Sequence, residues 1–150
     1  MSNNNVFRKI SEWLQNYPLL GSWMYFNSTP IELGTTSLNT VSGSRELKKF
    51  IDGTKDIELT FSISMVKQYD TGTSDLNLEA LDEVTNFSNW IEERNENQEY
   101  PDLGQFKTIQ SISVLSNVPS LQIDQASQLA KYTFQVRILY KDESEVLFHA

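Results

Sequence analysis

The sequence predicts an α+β fold: a mostly antiparallel sheet of four strands, or slightly more, with two helices packed on one of its faces. Three observations carry this. Ile57, Leu59, Phe61, Ile63 and Met65 alternate with Glu58, Thr60, Ser62 and Ser64, the period of a strand with one buried face. Tyr132, Phe134, Val136, Ile138 and Tyr140 alternate in the same way with Lys131, Thr133, Gln135, Arg137 and Leu139. Two other segments place apolar residues at helical spacing instead.

The first element is a helix over 6–16. Val6, Ile10, Trp13, Leu14 and Tyr17 share a face and Pro18 ends the pattern. Residues 1–5 ahead of it are polar and expected to be flexible, as is 143–150 at the other end. Gly21–Phe26 is a short apolar segment suited to an edge strand. The stretch 27–44, rich in Ser, Thr, Asn and Gly, contains a further short strand at "TTSLNTVSG".

A hairpin follows, turning at Asp52-Gly53. A two-residue loop places Ile51 opposite Thr54 and Glu46 opposite Leu59. A three-residue loop places Leu47 opposite Leu59 and Lys48 opposite Glu58. The second register gathers Leu47, Ile51, Ile57, Leu59 and Phe61 on one face and is the one expected here. "YDTGTSD" then breaks the sheet, and 76–97 is the second helix, with Asp75 as its N-cap. Leu81, Val84, Phe87, Ser88 and Ile91 form its buried stripe, with Trp90 at the margin. Pro101 and Gly104 close it. Two strands complete the sheet, 107–117, with Gln110, Ile112 and Val114 on one face, and 129–141. The loop 118–128 joins them. The face of the sheet away from the helices is expected to carry Glu58, Thr60, Ser62, Ser64, Lys131, Thr133, Gln135 and Arg137.

Composition bounds the function. The 150 residues fit one domain, 1–150, able to bury roughly 68–70% of its unfolded surface without a staple. A net charge of −8 and a pI near 4.6 disfavour nucleic-acid and anionic-membrane binding, which need clustered Lys and Arg. The absence of Cys excludes disulfides, thiol catalysis and Cys-ligated zinc. No apolar run follows the N-terminal charges, so no signal peptide is expected.

The chemistry-bearing residues are sparse. His149 is the single histidine and sits next to the chain end, where no rigid neighbours fix its tautomer. Glu79, Asp82 and Glu83 have the spacing of a helical cation site, but acidic residues early in a helix are ordinarily solvated and favoured by its dipole. Glu92, Glu93 and Glu96 repeat that spacing late in the helix. The Asp70-Thr71-Gly72 triplet matches the aspartic-protease signature, yet a single copy in a polar loop reads as a turn. No catalytic, cofactor-binding or metal residue is assigned, no interface residue is identifiable, and no enzyme is expected.

Five stretches, taken in order, resemble a known family. They are "FRKISEWLQNYPLL", "KFIDGTKDIELTFSIS", "FSNWIEERNENQEYPDLG", "KTIQSISVLSN" and "LAKYTFQVRILYKD". Asp52, Gly53, Phe61, Trp90, Ile91, Glu92, Pro101 and Leu103 stand where that family's recurrent residues are expected, as do Gln110, Ser111, Ile112, Tyr132, Gln135 and Tyr140. The chain resembles the minor capsid proteins of siphophages and prophages of Gram-positive bacteria, which are similar to tail terminators. Residues 27–44 and the apolar tip "VLFHA" have no counterpart in the resemblance. What it implies is a non-enzymatic virion protein at the head–tail junction, made in the host cytoplasm and without cofactors. It would form a homo-oligomeric ring, commonly a hexamer in that family, that caps the tail tube and meets the head-completion protein. Sequence-specific nucleic-acid binding and membrane association are not implied. Another head–tail connector, a tail-assembly component, or a monomeric protein-binding adaptor using the polar sheet face remain open alternatives.

Overall fold

A computed structural model of the chain describes residues 3–18, 24–28, 32–72, 75–116 and 118–146. The elements are α1 (Asn3–Leu14), β1 (Tyr25–Phe26), β2 (Thr36–Lys49), β3 (Lys55–Gln68), α2 (Asp75–Glu96), β4 (Lys107–Val114), β5 (Ser120–Asp124) and β6 (Leu129–Asp142). The α+β class holds. The sheet is larger than the four strands expected and is mixed: six strands, ordered β1-β2-β3-β6-β4, with β5 also on β6. β1 runs parallel to β2, and the other pairings are antiparallel.

The centre of the sheet is the β3–β6 ladder, an unbroken register from Lys55↔Asp142 to Gln68↔Leu129. It sets the two alternating runs in phase. Ile57, Leu59, Phe61, Ile63 and Met65 stand opposite Tyr140, Ile138, Val136, Phe134 and Tyr132, and all ten are buried. Both helices cover this face. Val84, Phe87 and Ile91 of α2 are buried against it, with Ala80 added to the expected stripe and Leu81 half-buried. Val6, Phe7, Ile10, Trp13 and Leu14 of α1 join the same core.

An aromatic cluster fastens the helices to each other and to the sheet. Tyr17 stacks on Phe87 at 4.8 Å between centroids, Trp13 lies 5.4 Å from Trp90, and Phe87 meets Phe134 edge-on at 6.0 Å. The Trp13 indole N–H donates to the Glu99 carbonyl at 3.0 Å, tying α1 to the segment that closes α2.

Several expectations are corrected. α1 spans Asn3–Leu14, starting three residues before and ending two residues before the helix expected over 6–16. β2 is one 14-residue strand that takes in both the "TTSLNTVSG" strand and the first arm of the hairpin. Its pairing with β3 shifts between Thr40 and Ser42, between Ser42 and Arg45, and between Glu46 and Lys48. Lys49 therefore pairs with Lys55 and Lys48 with Asp56, a register that neither short loop gives. The reason is local. Asp52 Oδ1 accepts the Thr54 N–H at 2.9 Å and the Phe50 N–H donates to the Thr54 carbonyl at 2.8 Å, which closes a longer loop over 50–54. Leu47 and Ile51, expected inside, are exposed, Ile51 completely. The pairing of β4 shifts between Ile109 and Ser111, so Ile109 and Ile112 are buried while Gln110 faces out. The loop expected at 118–128 contains β5. Asp75 is the first residue of α2 rather than its cap, and the positions before it lie outside the described residues.

Residues 143–146 lie against the hairpin tip and the turn before β4. The Glu145 carboxylate pairs with Lys55 Nζ at 2.7 Å, and the Glu143 N–H donates to the Phe106 carbonyl at 2.8 Å. Gly53, at φ +99°, turns the hairpin where any Cβ would run into the Glu145 carbonyl. The hydrogen bond and charge of Lys55 hold the Glu145 carboxyl below its usual range, and the backbone and side-chain hydrogen bonds of Thr54 do the same for Asp52.

Two outcomes are expected. Phe87→Ala should cost about 3–5 kcal/mol in urea denaturation, because one ring joins α2 to Tyr17 of the turn after α1 and to Phe134 of β6. Acidification should loosen the hairpin tip before the core. Both carboxyls have lowered folded values, so their contribution is present above the unfolded range near pH 4 and is lost as pH falls through those values. Hydrogen exchange at Gly53 and Thr54 along a pH series, against β3 amides as reference, would register this.

Candidate interaction surface

The residues singled out for chemistry do not converge. His149 lies outside the described residues. Glu79, Asp82 and Glu83 are exposed, and Glu83 pairs with Lys67 at 2.6 Å. Asp70 builds a turn: its carboxylate accepts the Gly72 N–H at 2.7 Å, and its backbone exchanges two hydrogen bonds with the Asn77 amide. Among the described residues, no group of three His, Asp or Glu side chains could hold a metal ion. No described helix is long and apolar enough to cross a membrane.

Of the glutamates late in α2, Glu93 and Glu96 are exposed, while Glu92 has a role that their spacing did not suggest. β4 lies at one side of the sheet, and its outward backbone groups are met by side chains. Glu92 Oε1 accepts the Val114 N–H at 2.8 Å, and Asn95 Oδ1 accepts the Ile112 N–H at 2.9 Å. The Tyr100 hydroxyl donates to Asn95 Oδ1 at 2.8 Å and lies 3.4 Å from the Gln110 carbonyl. These contacts occupy the ladder positions that another strand would use. Glu93 pairs instead with Arg94 at 3.1 Å. The polar residues of this helix flank were visible in the sequence. Their use as edge caps was not, because it depends on where α2 crosses the sheet.

Other margins are open. β5 has no second partner strand among the described residues, and its Leu121 and Ile123 are exposed, as are Leu115 and Val118 just before it. On the opposite margin β1 pairs with only the start of β2, and Asn27 closes that pairing by accepting the Thr40 N–H at 2.8 Å. From Val41 to Lys49 β2 has no outer partner strand among the described residues, and Val41, Arg45, Leu47, Lys48 and Lys49 are exposed.

The face away from the helices has the composition the alternation predicts. Glu58, Thr60, Ser62 and Ser64 stand opposite Leu139, Arg137, Gln135 and Thr133. The Ser64 and Thr133 hydroxyls are 2.9 Å apart, while Glu58 lies 3.2 Å from Arg45 and 3.8 Å from Arg137. Ser37, Ser64 and Val66, at one end of this face, are buried.

Charge is segregated. Residues 70–102, which hold α2, contain ten of the twenty acidic side chains and one of the twelve basic ones. The remainder of the chain has ten acids and eleven bases, so the whole negative balance belongs to the helix side.

No model of a known protein family matches the chain, and no curated protein does.

Replacing Glu92 and Asn95 together with Leu should destabilise the fold by about 1–3 kcal/mol for each backbone N–H left without an acceptor. It should also expose the β4 ladder. Thermal melts would report the first effect, and concentration-dependent light scattering the second. A double variant that matches the parent in both measurements would mean that the caps do not guard the edge.

Proposed function

We propose that this chain is a non-enzymatic structural protein of a long-tailed phage, a tail terminator or minor capsid protein. It works as a homo-oligomeric ring at the head–tail junction, capping the tail tube and meeting the head-completion protein. The observation that carries the reading is the resemblance of five stretches in order, spanning nearly the whole chain. The two margins of the sheet support it from an independent direction. They are unlike each other, one formed by β1 and β2 and the other by β4 and β5. Unlike surfaces on two sides of a subunit pair head to tail, and head-to-tail contacts generate rings when the rotation closes.

A second reading is a monomeric adaptor that binds a protein through the polar sheet face. The short hydroxyl and amide side chains at the centre of that face favour it, since they hydrogen-bond with little entropy to lose.

Light scattering across a concentration series, alone and with the cognate tube protein, separates the two. The ring reading expects a closed oligomer and tubes that stop growing. A 17.2 kDa species that leaves tube length unchanged would remove it in favour of the adaptor.

A further inference from the structure

Building on the ring reading, we infer that the open sheet face of one copy, in its hairpin half, receives the outer stripe of α2 from a second copy. The two layers of the subunit then meet head to tail.

Register defines the receiving surface. Arg45 pairs with Glu58 and Lys48 with Asp56, so both bases stand on the face away from the helices, whereas Glu46 and Lys49 stand on the helix side. Arg137 and Lys141 of β6 share that face, opposite Thr60 and Asp56. Four bases there meet two acids. Glu58 is shared by Arg45 at 3.2 Å and Arg137 at 3.8 Å, and Asp56 lies 3.5 Å from Lys141. Lys48 and Lys141 both lie over the Phe50 ring, at 4.8 and 4.9 Å from its centroid. The positive surplus is local. At the other end of this face Lys131 and Asp124 offset each other, and Ser37, Ser64 and Val66 are buried. Beside the basic rows stand Thr60, Ser62 and Ser113, half-buried and uncharged, over which a helix can approach closely.

α2 supplies the entering surface. Its Ala80, Val84, Phe87 and Ile91 face the core. Glu79, Asp82, Asn86, Asn89, Glu93 and Glu96 therefore fall on the opposite side of the helix, and all six are exposed. No base interrupts this stripe. Arg94 lies to one side of it, 5.4 Å over the Trp90 ring and 3.4 Å from Glu99. The stripe brings four carboxylates to a surface with more bases than acids, and two amides to the hydroxyls of its uncharged part.

Two open sheet faces would set base against base, so a face does not pair with its own kind. A subunit that receives with one layer and enters with the other leaves the same two surfaces free for the next copy. Such contacts close into a ring when the rotation permits. They need no free strand ladder, in keeping with Glu92 and Asn95 occupying the β4 edge.

The test reverses charge in the full chain. Arg45→Glu with Lys48→Glu alters the receiving face, and Asp82→Lys with Glu96→Lys alters the stripe. A control, Lys9→Glu with Lys49→Glu, makes the same change in net charge as the face variant but on the helix side. All six positions are exposed, and circular dichroism and thermal melting check the folding of each variant. Should one reversal unfold the chain, the other decides. Light scattering at low salt and up to millimolar concentration should find parent and control assembled alike and each reversal at least tenfold weaker. An equimolar mixture of the two reversals should recover assembly, because every contact between alternating copies then joins opposite charges. If neither reversal weakens assembly, if the control weakens it equally, or if the mixture fails to recover it, the two faces do not meet, while the ring reading stands. A parent that stays monomeric overturns the inference, and the ring reading falls with it only if tube growth is also unchanged.

Discussion

The β3–β6 ladder is the constraint on which the remaining structure depends. It joins segments separated by a helix and two further strands, and it holds one register from Lys55↔Asp142 to Gln68↔Leu129. A strand has side-chain period two, so a slip of one residue would turn ten buried side chains to the opposite face. Nothing in the ladder tolerates that. Phe61, Ile63, Val136 and Ile138 are fully enclosed, and Phe134 is held edge-on by Phe87. Once this pairing is fixed, α1 and α2 have a single apolar face to cover, and β2 and β4 must pair on either side.

That dependence explains which parts of the fold were legible in the sequence. β3 and β6 have alternation without interruption, and both were readable to within a residue or two at their ends. The helices were readable because apolar spacing and the breakers Pro18 and Pro101 agree. β2 was not readable as one strand, since three register shifts destroy its alternation and its side chains are small and polar. In β4 the shift after Ile109 places two isoleucines three positions apart on the same side of the sheet, which no period-two template fits. β5 contains only Leu121 and Ile123 as apolar residues, both exposed, so no buried face gives it a signal. β1 is two residues long. The hairpin is the instructive error. Gathering Leu47 and Ile51 inside follows a sound rule, but the Asp52 carboxylate at the Thr54 amide and the docked Glu145 fix another loop.

The surface was legible only in part. Parity alone placed Glu58, Thr60, Ser62, Gln135 and Arg137 on the open face, and the structure agrees. The three clusters considered for chemistry were read as solvated flanks and a turn, and Glu92 departs from that reading by meeting a strand edge. Spacing within one helix says which side chains share a flank. It does not say whether that flank meets solvent or a strand edge. Glu92 belongs to the second case and its neighbour Glu93 to the first.

The two margins of the sheet are managed by different means, and the difference bears on association. A bare ladder is a hazard because any extended chain can add to it. Beside β4 that hazard is met by specific acceptors, Glu92 and Asn95, which satisfy two backbone N–H groups while leaving the net charge of α2 in solvent. Beside β2 no such caps occur among the described residues from Val41 onward. The strand is instead irregular, with three register shifts, and bears Arg45, Lys48 and Lys49. Bulges and lysines deter unselective pairing without closing the margin to a partner whose charge is opposite. A sheet capped on one side and merely charged on the other is poorly suited to pair with a copy of the same margin, where like charges would meet.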